Sequence, residues 1–305
     1  MDRKQLRTLL AVCEHRSFSG AAKALGTVQS NVSAHVSRLE NELGVTLVDR
    51  ATTEPTDEGR VVLDRARRIE GEFDALSSDL AYLRDVVVGT VRLGVIGTTA
   101  RWLVPPLLET VWREYPEVRV VVLDAPSSAL VLETTTGTVD LAVVNLPIDH
   151  PDIEVEMLFT EDRILIAPEG HPLHDRETVS LQELAEHELL LEAPGTAFRD
   201  VLDTAATAAG VELRARAEFD GMRLLASLAF AGFGAGVVPA SAIPRGLDGP
   251  WRSIPVVGVP RRNVGLIRSH RGMPSAAARV IGELVRRVVA KEGADRATVD
   301  AEPHS

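Results

Sequence analysis

Ser17-Phe-Ser-Gly-Ala-Ala-Lys-Ala-Leu-Gly-Thr-Val-Gln-Ser-Asn-Val-Ser-Ala-His-Val-Ser-Arg-Leu-Glu-Asn-Glu-Leu-Gly-Val-Thr-Leu-Val-Asp-Arg50, closing on Pro55-Thr-Asp-Glu-Gly59, decides how this chain is read. Two short helical patterns meet at a tight turn on Gly26. Ser17 and Ser19 are helix-capping types, and Ala21, Ala22 and Ala24 permit close helix packing. The second pattern buries Val32, Val36, Leu39 and Leu43 in one apolar stripe. Its other side presents Gln29, Ser30, Ser33, Ala34, Ser37 and Arg38. Gln pairs with an adenine edge, Ser with several edges, and an Ala methyl touches a thymine methyl. Ser17, Ser19 and Arg38 suit phosphate contacts that set register. The arrangement is that of a helix-turn-helix, which lays one helix in a DNA major groove and points to gene control rather than catalysis.

Residues 1–59 resemble the winged helix-turn-helix of the LysR-type transcriptional regulators. The landmarks are Ser17-Phe-Ser-x-Ala-Ala-x-x-Leu25, Val32-Ser33, Arg38-Leu-Glu-x-Glu-Leu-Gly44, Leu47-x-x-Arg50 and Thr56-x-x-Gly59. Three departures stand out. Val28-Gln29-Ser30 replaces the family's Ser-Gln-Pro, leaving Thr27 as a substitute cap. Ala34 stands where a basic residue is common. The wing from Arg50 to Thr56 is short and carries Glu54, which predicts weaker phosphate affinity than is usual in the family.

The chain carries a formal charge of −11, an unexpected balance for a DNA binder. The first sixty residues hold eight Lys/Arg and eight Asp/Glu, so the whole excess lies beyond them. Local placement decides a DNA footprint, and Arg3, Lys4, Arg7, Arg16, Lys23, Arg38 and Arg50 are the candidates for a basic face. A neutral head binds poorly at cellular salt, which favours an oligomer with several heads. Residues 60–88 supply one. Val62, Ala66, Ile69, Phe73, Leu76, Leu80, Leu83 and Val87 alternate steps of four and three, a coiled-coil seam under a charged outer surface. This predicts a dimerisation linker helix ended by Gly89, as in the LysR-type proteins; the alternative is a helix packed on its own domain.

Residues 89–290 alternate strand and helix patterns. Strands are expected at Val91–Ile96, Arg119–Leu123, Leu141–Val144, Val155–Phe159, Ile164–Ala167, Leu189–Leu191, Ala235–Val238, Ile254–Val257 and Val264–Arg268. Helices are expected at Leu103–Tyr115, Ala129–Thr136, Leu181–Glu186, Val201–Ala209, Met222–Ala231 and Ala276–Ala290. Such alternation implies α/β architecture with open parallel-type sheets and ligands at strand carboxyl ends. Val91-Arg-Leu-Gly-Val-Ile96, Tyr115-Pro116, Gly137-x-Val-Asp-Leu-Ala142, His171-Pro-Leu173 and Ala231-Gly-Phe-Gly-Ala-Gly-Val-Val-Pro239 resemble the effector-binding half of the same family. That resemblance implies a two-lobed fold like the type 2 periplasmic binding proteins. The chain then crosses near 160 and 268, with lobe 1 at about 89–160 and 268–290 and lobe 2 at about 161–267. Residues 291–305 are expected to be a disordered tail.

Thr98, Thr99, Ser127, Ser128, Asn145, Gly195 and Thr196 fall after strands or before helices, where hydroxyls and free N–H groups hold anions. Each is also an ordinary cap; in the resembling family these loops line the cleft. Arg101 and Trp102 offer a charge and a stacking face there, or simply pack at the surface. A small carboxylate or other anionic metabolite is the expected effector. Cys13 is the only cysteine, which excludes a disulfide within the chain. Cys13 and His15 do not share a helix face, which disfavours a catalytic pair. His171-Pro-Leu-His174-Asp175 reads as a turn rather than a metal site, and Gly232-x-Gly234-x-Gly236 lacks dinucleotide spacing. There is no phosphate-loop lysine motif or Gly-x-Ser-x-Gly elbow. No run has the length of a membrane span and no secretion signal opens the chain, so a cytoplasmic protein is expected.

The expectation is a sequence-specific DNA-binding regulator without catalytic residues, metal or cofactor. Its partners are double-stranded DNA, a small-molecule effector, a second copy or three further copies of itself and, for an activator, RNA polymerase. Two rivals remain: a binding module or enzyme on the two-lobed scaffold, and an architectural DNA protein whose cleft is filled by side chains.

Overall fold

The computed structural model describes residues 1–294 and 299–301. Helices α1 (Arg3–His15), α2 (Phe18–Ala24) and α3 (Gln29–Leu43) pack around Leu9, Val12, Ala21, Val36 and Leu39. An Asp2/Gln5 capping box starts α1, and Ser17 Oγ accepts the Gly20 N–H to start α2. Gly26 takes φ +63 at the turn, a left-handed conformation that glycine adopts without strain. The wing is one Val48–Pro55 antiparallel bridge. Thr56 then caps α4 (Asp57–Tyr82).

Helix α4 starts three residues ahead of the expected linker and ends six before it. Leu83 is its C-cap and Asp85 turns left-handed, so Leu83 and Val87 of the seam fall past the helix. Gly89 opens the first strand rather than ending the helix. The seam also divides in use. Ala66, with Val62 packed beside it, joins the core of the head, while Ile69, Phe73, Leu76 and Leu80 stay exposed.

Beyond α4 the order is β1 (Gly89–Val95), α5 (Gly97–Glu114), β2 (Val118–Asp124), α6 (Ser127–Thr136), β3 (Leu141–Asn145), β4 (Ile153–Glu161), β5 (Arg163–Pro168), β6 (Val179–Ser180), α7 (Leu181–Ala185), β7 (Glu188–Glu192), α8 (Ala197–Ala208), β8 (Arg214–Phe219), α9 (Met222–Phe230), β9 (Gly236–Pro239), a 3-10 turn (Ala240–Ala242), β10 (Trp251–Val257), β11 (Arg262–Ser269), α10 (Ala276–Ala294) and β12 (Val299–Ala301). One sheet runs β12-β4-β11-β3-β1-β2 and the other β6-β10-β5-β9-β7-β8. Both are mixed rather than parallel: β1 lies parallel to β2 and β3, whereas β11 runs antiparallel to β3 and β4. In the second sheet β5 pairs antiparallel with β9 and β10. The antiparallel strands are those that carry the chain between lobes.

The outward crossing falls between Glu161 and Arg163. The return lies at 258–261, ahead of the 268 expected from sequence, because Val264–Arg268 is already a central strand of the first sheet. Helices α5, α6 and α10 cover that sheet, while α7 and α8 cover one face of the second and α9 the other. The disordered tail expected from 291 is in part ordered: α10 runs on to Ala294 and residues 299–301 add an edge strand to β4. The remainder of that expectation lies outside the described residues.

Candidate functional site: a DNA-reading head and an interlobe cleft

On α3, Gln29, Ser30, Ala34 and Arg38 are exposed, with Ser33 and Ser37 half-buried beside them. Its N-cap is Val28, with no side-chain cap bond. The substitute cap expected at Thr27 does not form, since Thr27 Oγ1 takes the Asn31 Nδ2 hydrogen instead, at 3.1 Å. The Gln29 and Ser30 N–H groups are therefore open to an anion such as a phosphate, while that of Asn31 bonds the Val28 carbonyl. Ser17 is occupied as the α2 cap and lies 3.0 Å from Ser19 Oγ.

The expected basic face is narrower than the sequence suggests. Arg3 makes two bonds to Glu70 of α4 (3.0 and 3.1 Å) and lies over Phe73, and Arg7 reaches the same carboxylate. Arg50 bonds Glu40 at 2.7 Å and Ser37 at 3.2 Å, and covers the Phe18 ring. Within the head its charge is thus paired with Glu40 while the side chain stays partly exposed. Among the described residues, Lys4, Arg16, Lys23 and Arg38 make no ion pair.

The two lobes face each other across the carboxyl ends of β1, β2 and β3 on one side and β7 and β8 on the other. Thr98 and Asn145 do converge here, but their acceptor oxygens are already engaged. Arg262 Nη1 donates to Thr98 Oγ1 at 3.1 Å and its Nε donates to Asn145 Oδ1 at 2.7 Å. Ser127 Oγ accepts the Asn145 N–H. Thr99 is fully buried and its Oγ1 has no partner. Ser128 and Gly195 are exposed at the starts of α6 and α8. Thr196 caps α8 through Arg199 N and donates to Glu192 Oε2 at 3.1 Å. Arg101 reaches the Ala242 carbonyl of lobe 2, and Trp102 is a core residue set edge-on to Phe159, not a stacking face.

Four charged residues absent from the sequence reading organise the cleft floor. Arg262 is 5 % exposed and Glu161 0 %, and they pair at 2.6 Å. Glu161 also accepts the Ser241 N–H (2.7 Å) and Oγ–H (3.2 Å) from lobe 2. Arg163 donates to the Pro260 carbonyl, covers the Phe198 ring and leaves its buried Nε without a partner. Burial, and then the like charge of Arg262, lower its pKa to about 10, so it stays charged at neutral pH. Glu192, at the end of β7, has its pKa raised by burial against the pull of Thr196 and Arg262. Their signal was the clustering of charge in Glu161-Asp-Arg163 and Arg261-Arg262, where apolar strands begin and end. Arg223 of α9 closes the cleft mouth by an ion pair of 2.5 Å to Asp124 at the end of β2.

Among the described residues no His, Cys, Asp and Glu cluster is fit to hold a metal, and no helix is long and apolar enough to cross a membrane. His171 sits in a turn with its ring against His187, its Nδ1 accepting the Leu173 N–H.

A family model described as "LysR substrate binding domain" matches residues 84–290, and one described as "Bacterial regulatory helix-turn-helix protein, lysR family" matches residues 3–60. A "Probable hydrogen peroxide-inducible genes activator" of Mycobacterium avium is 33% identical over 294 residues, covering 92% of this chain and 93% of that protein. A protein of the same description from Streptomyces viridosporus is 34% identical over 242 residues, 78% of each chain. Full-length CbnR in complex with its target DNA superposes with TM-score 0.69 at 26% identity, covering 94% of this chain and 100% of that one. A full-length OxyR variant from Pseudomonas aeruginosa has the same fold, with TM-score 0.76 at 21% identity and coverage of 95% and 94%. This chain belongs to the LysR family of DNA-binding transcriptional regulators, with a helix-turn-helix head and an effector-binding domain.

Proposed function

We propose that this regulator reads DNA with Gln29, Ser30, Ser33, Ala34 and Arg38 and answers a small ligand held between its lobes. The observation that carries this is the exposed polar row on α3, on a helix whose start has no side-chain cap. The exposed Ile69, Phe73, Leu76 and Leu80 on α4 supply the face on which a second copy joins. Two heads then read half-sites about one DNA turn, or a multiple, apart. Ligand and DNA states are coupled reciprocally through lobe closure. The protein acts in the cytoplasm on double-stranded DNA, as a regulator and not a catalyst, contacting RNA polymerase where it activates.

Relatives named for hydrogen peroxide induction favour a second reading, a response to peroxide. Cys13 opposes it: the only thiol of the chain lies in α1 of the head, and burial pushes its pKa up. The cleft contains no cysteine for oxidation to act on.

Selection of genomic DNA fragments by the full chain tests the proposal. Ser33→Arg should change or abolish the selected sequence, whereas Thr99→Val should keep it and blunt the ligand response. Unchanged selection by Ser33→Arg would remove α3 from base reading, and a peroxide-dependent footprint would favour the second reading.

A further inference from the structure

The first two turns of α1 are gripped from both sides by carboxylates. On one side Glu70, in the middle of α4, takes the fork of Arg3, whose Nε and Nη2 donate at 3.0 and 3.1 Å. Arg7 Nε stands 3.6 Å from the same carboxylate. On the other side Glu42, near the end of α3, accepts a Gln5 Nε2 hydrogen at 3.2 Å. The recognition helix and the linker helix are thus tied through α1 by polar bonds as well as by the apolar core beneath them. The two kinds of contact act differently. Apolar burial is non-directional, whereas a forked arginine–carboxylate pair fixes an orientation.

An exposed ion pair contributes little by itself. This one is better placed: the Glu70 side chain is 17 % exposed, and Arg3 Cζ lies 4.1 Å from the centroid of the Phe73 ring. Phe73 belongs, with Ile69 on the turn before it, to the exposed α4 face on which a second copy joins. A second copy seated there takes water from Phe73 and from the guanidinium over it. Both the ion pair and the ring contact strengthen on losing water. The clamp therefore tightens in the dimer, where the angle of each head to its linker decides how far apart the two heads stand. The lever is long. Gln29 lies about 20 Å along α3 from Glu42, so a tilt of about 10° about that end carries it about 3.4 Å, one base-pair step.

We infer that Glu70 is a positioning residue for DNA reading: by holding Arg3 and Arg7 it fixes the angle of the head on the linker, and with it the half-site separation the dimer accepts. Arg3 and Arg7 accordingly serve this joint rather than the DNA backbone. This rests on the dimeric DNA-reading proposal above and adds to it what sets the spacing.

The test uses the full chain and a DNA fragment it selects, with both half-sites kept and their separation changed by one and two base pairs either way. Affinity is measured at each spacing and for a fragment holding a single half-site, over a range of salt. Glu70→Gln keeps the shape without the charge, and Arg3→Met keeps packing on Phe73 without the fork, so the two variants cut the clamp from opposite sides. In both, the preference for the parent's spacing over its neighbours should fall about fivefold, as for loss of a well-placed surface ion pair. Glu70→Gln should hold the single half-site as the parent does, with the same salt dependence, because the reading face of α3 is untouched. A spacing profile unchanged in either variant would overturn the inference alone. Tighter and more salt-sensitive binding of the single half-site by Glu70→Gln would do the same, since Glu70 would then be a mask on two phosphate-binding arginines. Failure of the parent to protect two half-sites would instead overturn the dimeric reading beneath it.

Discussion

Arg262 Nη1 lies 2.6 Å from Glu161 Oε1, and both groups are out of water where the chain passes between the lobes. Because Glu161 also accepts from Ser241, a single carboxylate joins the 3-10 turn of lobe 2 to the first residue of β11. Breaking such a pair strands a buried charge, which costs about 3–5 kcal/mol, whereas replacing both partners by apolar groups is often close to neutral. Glu161→Ala should therefore lower the urea midpoint sharply, and Glu161→Met with Arg262→Met should recover most of the loss. Equal stability of Glu161→Ala and the parent would show that the pair is solvated.

The linker helix caps a helix of the effector domain. Ser78 Oγ accepts the Ala277 N–H at 3.2 Å and Asp79 Oδ1 the Ala276 N–H at 3.0 Å, while Ser275 serves Ala278. Arg279 also pairs with Asp79. The start of α10 is thus satisfied from α4, which docks the linker on lobe 1. Ser78→Ala should cost about 1 kcal/mol, the usual size of a lost helix cap. Amide exchange at Ala276 and Ala277 should speed up; exchange unchanged there would mean the caps do not hold the joint.

Arg38 and Arg50 should differ in salt dependence. Each released counterion contributes about one unit to the slope of log affinity on log salt. Arg38 is exposed and unpaired among the described residues, so Arg38→Ala should flatten the slope by about that amount. Arg50 is neutralised by Glu40, so Arg50→Ala should flatten it less and loosen the head as well. A larger slope change for Arg50 would show that Glu40 releases it on DNA.

Glu192 gives the fold a pH signature. Burial first, with Asp220 also contributing, holds its pKa above the ordinary glutamate value despite Thr196, Arg262 and Met222. A carboxyl with a raised folded pKa contributes stability that is present below its unfolded pKa and lost as pH rises through the folded pKa. Glu192→Gln should therefore be more stable than the parent at neutral pH, with the advantage disappearing on acidification through that range. An advantage that does not vary with pH would contradict the burial argument.

The head was legible because periodicity and turn chemistry act locally: Ser17, Gly26 and the Val32-Val36-Leu39 stripe each have one reasonable role. Most strands were legible as apolar runs. Strand β8 was not, since Arg214-Ala-Arg-Ala-Glu-Phe219 is an exposed edge with no apolar run. The linker helix ran short of its seam because Asp85 adopts a left-handed turn that spacing does not encode. Hydroxyls were placed at the cleft by the rule that loops follow strands. The arginines that occupy it arrive from β5 and β11, more than sixty residues away in sequence in the case of Thr98 and Arg163, and no local pattern pairs them.

Footprinting of the full chain on a selected genomic fragment, at near-physiological salt, is the most direct test of the central claim. Two related half-sites about one DNA turn, or a multiple, apart should be protected, and that protection should be lost in Ser33→Arg. Salt-sensitive coverage without sequence preference would contradict it and leave the head an architectural role.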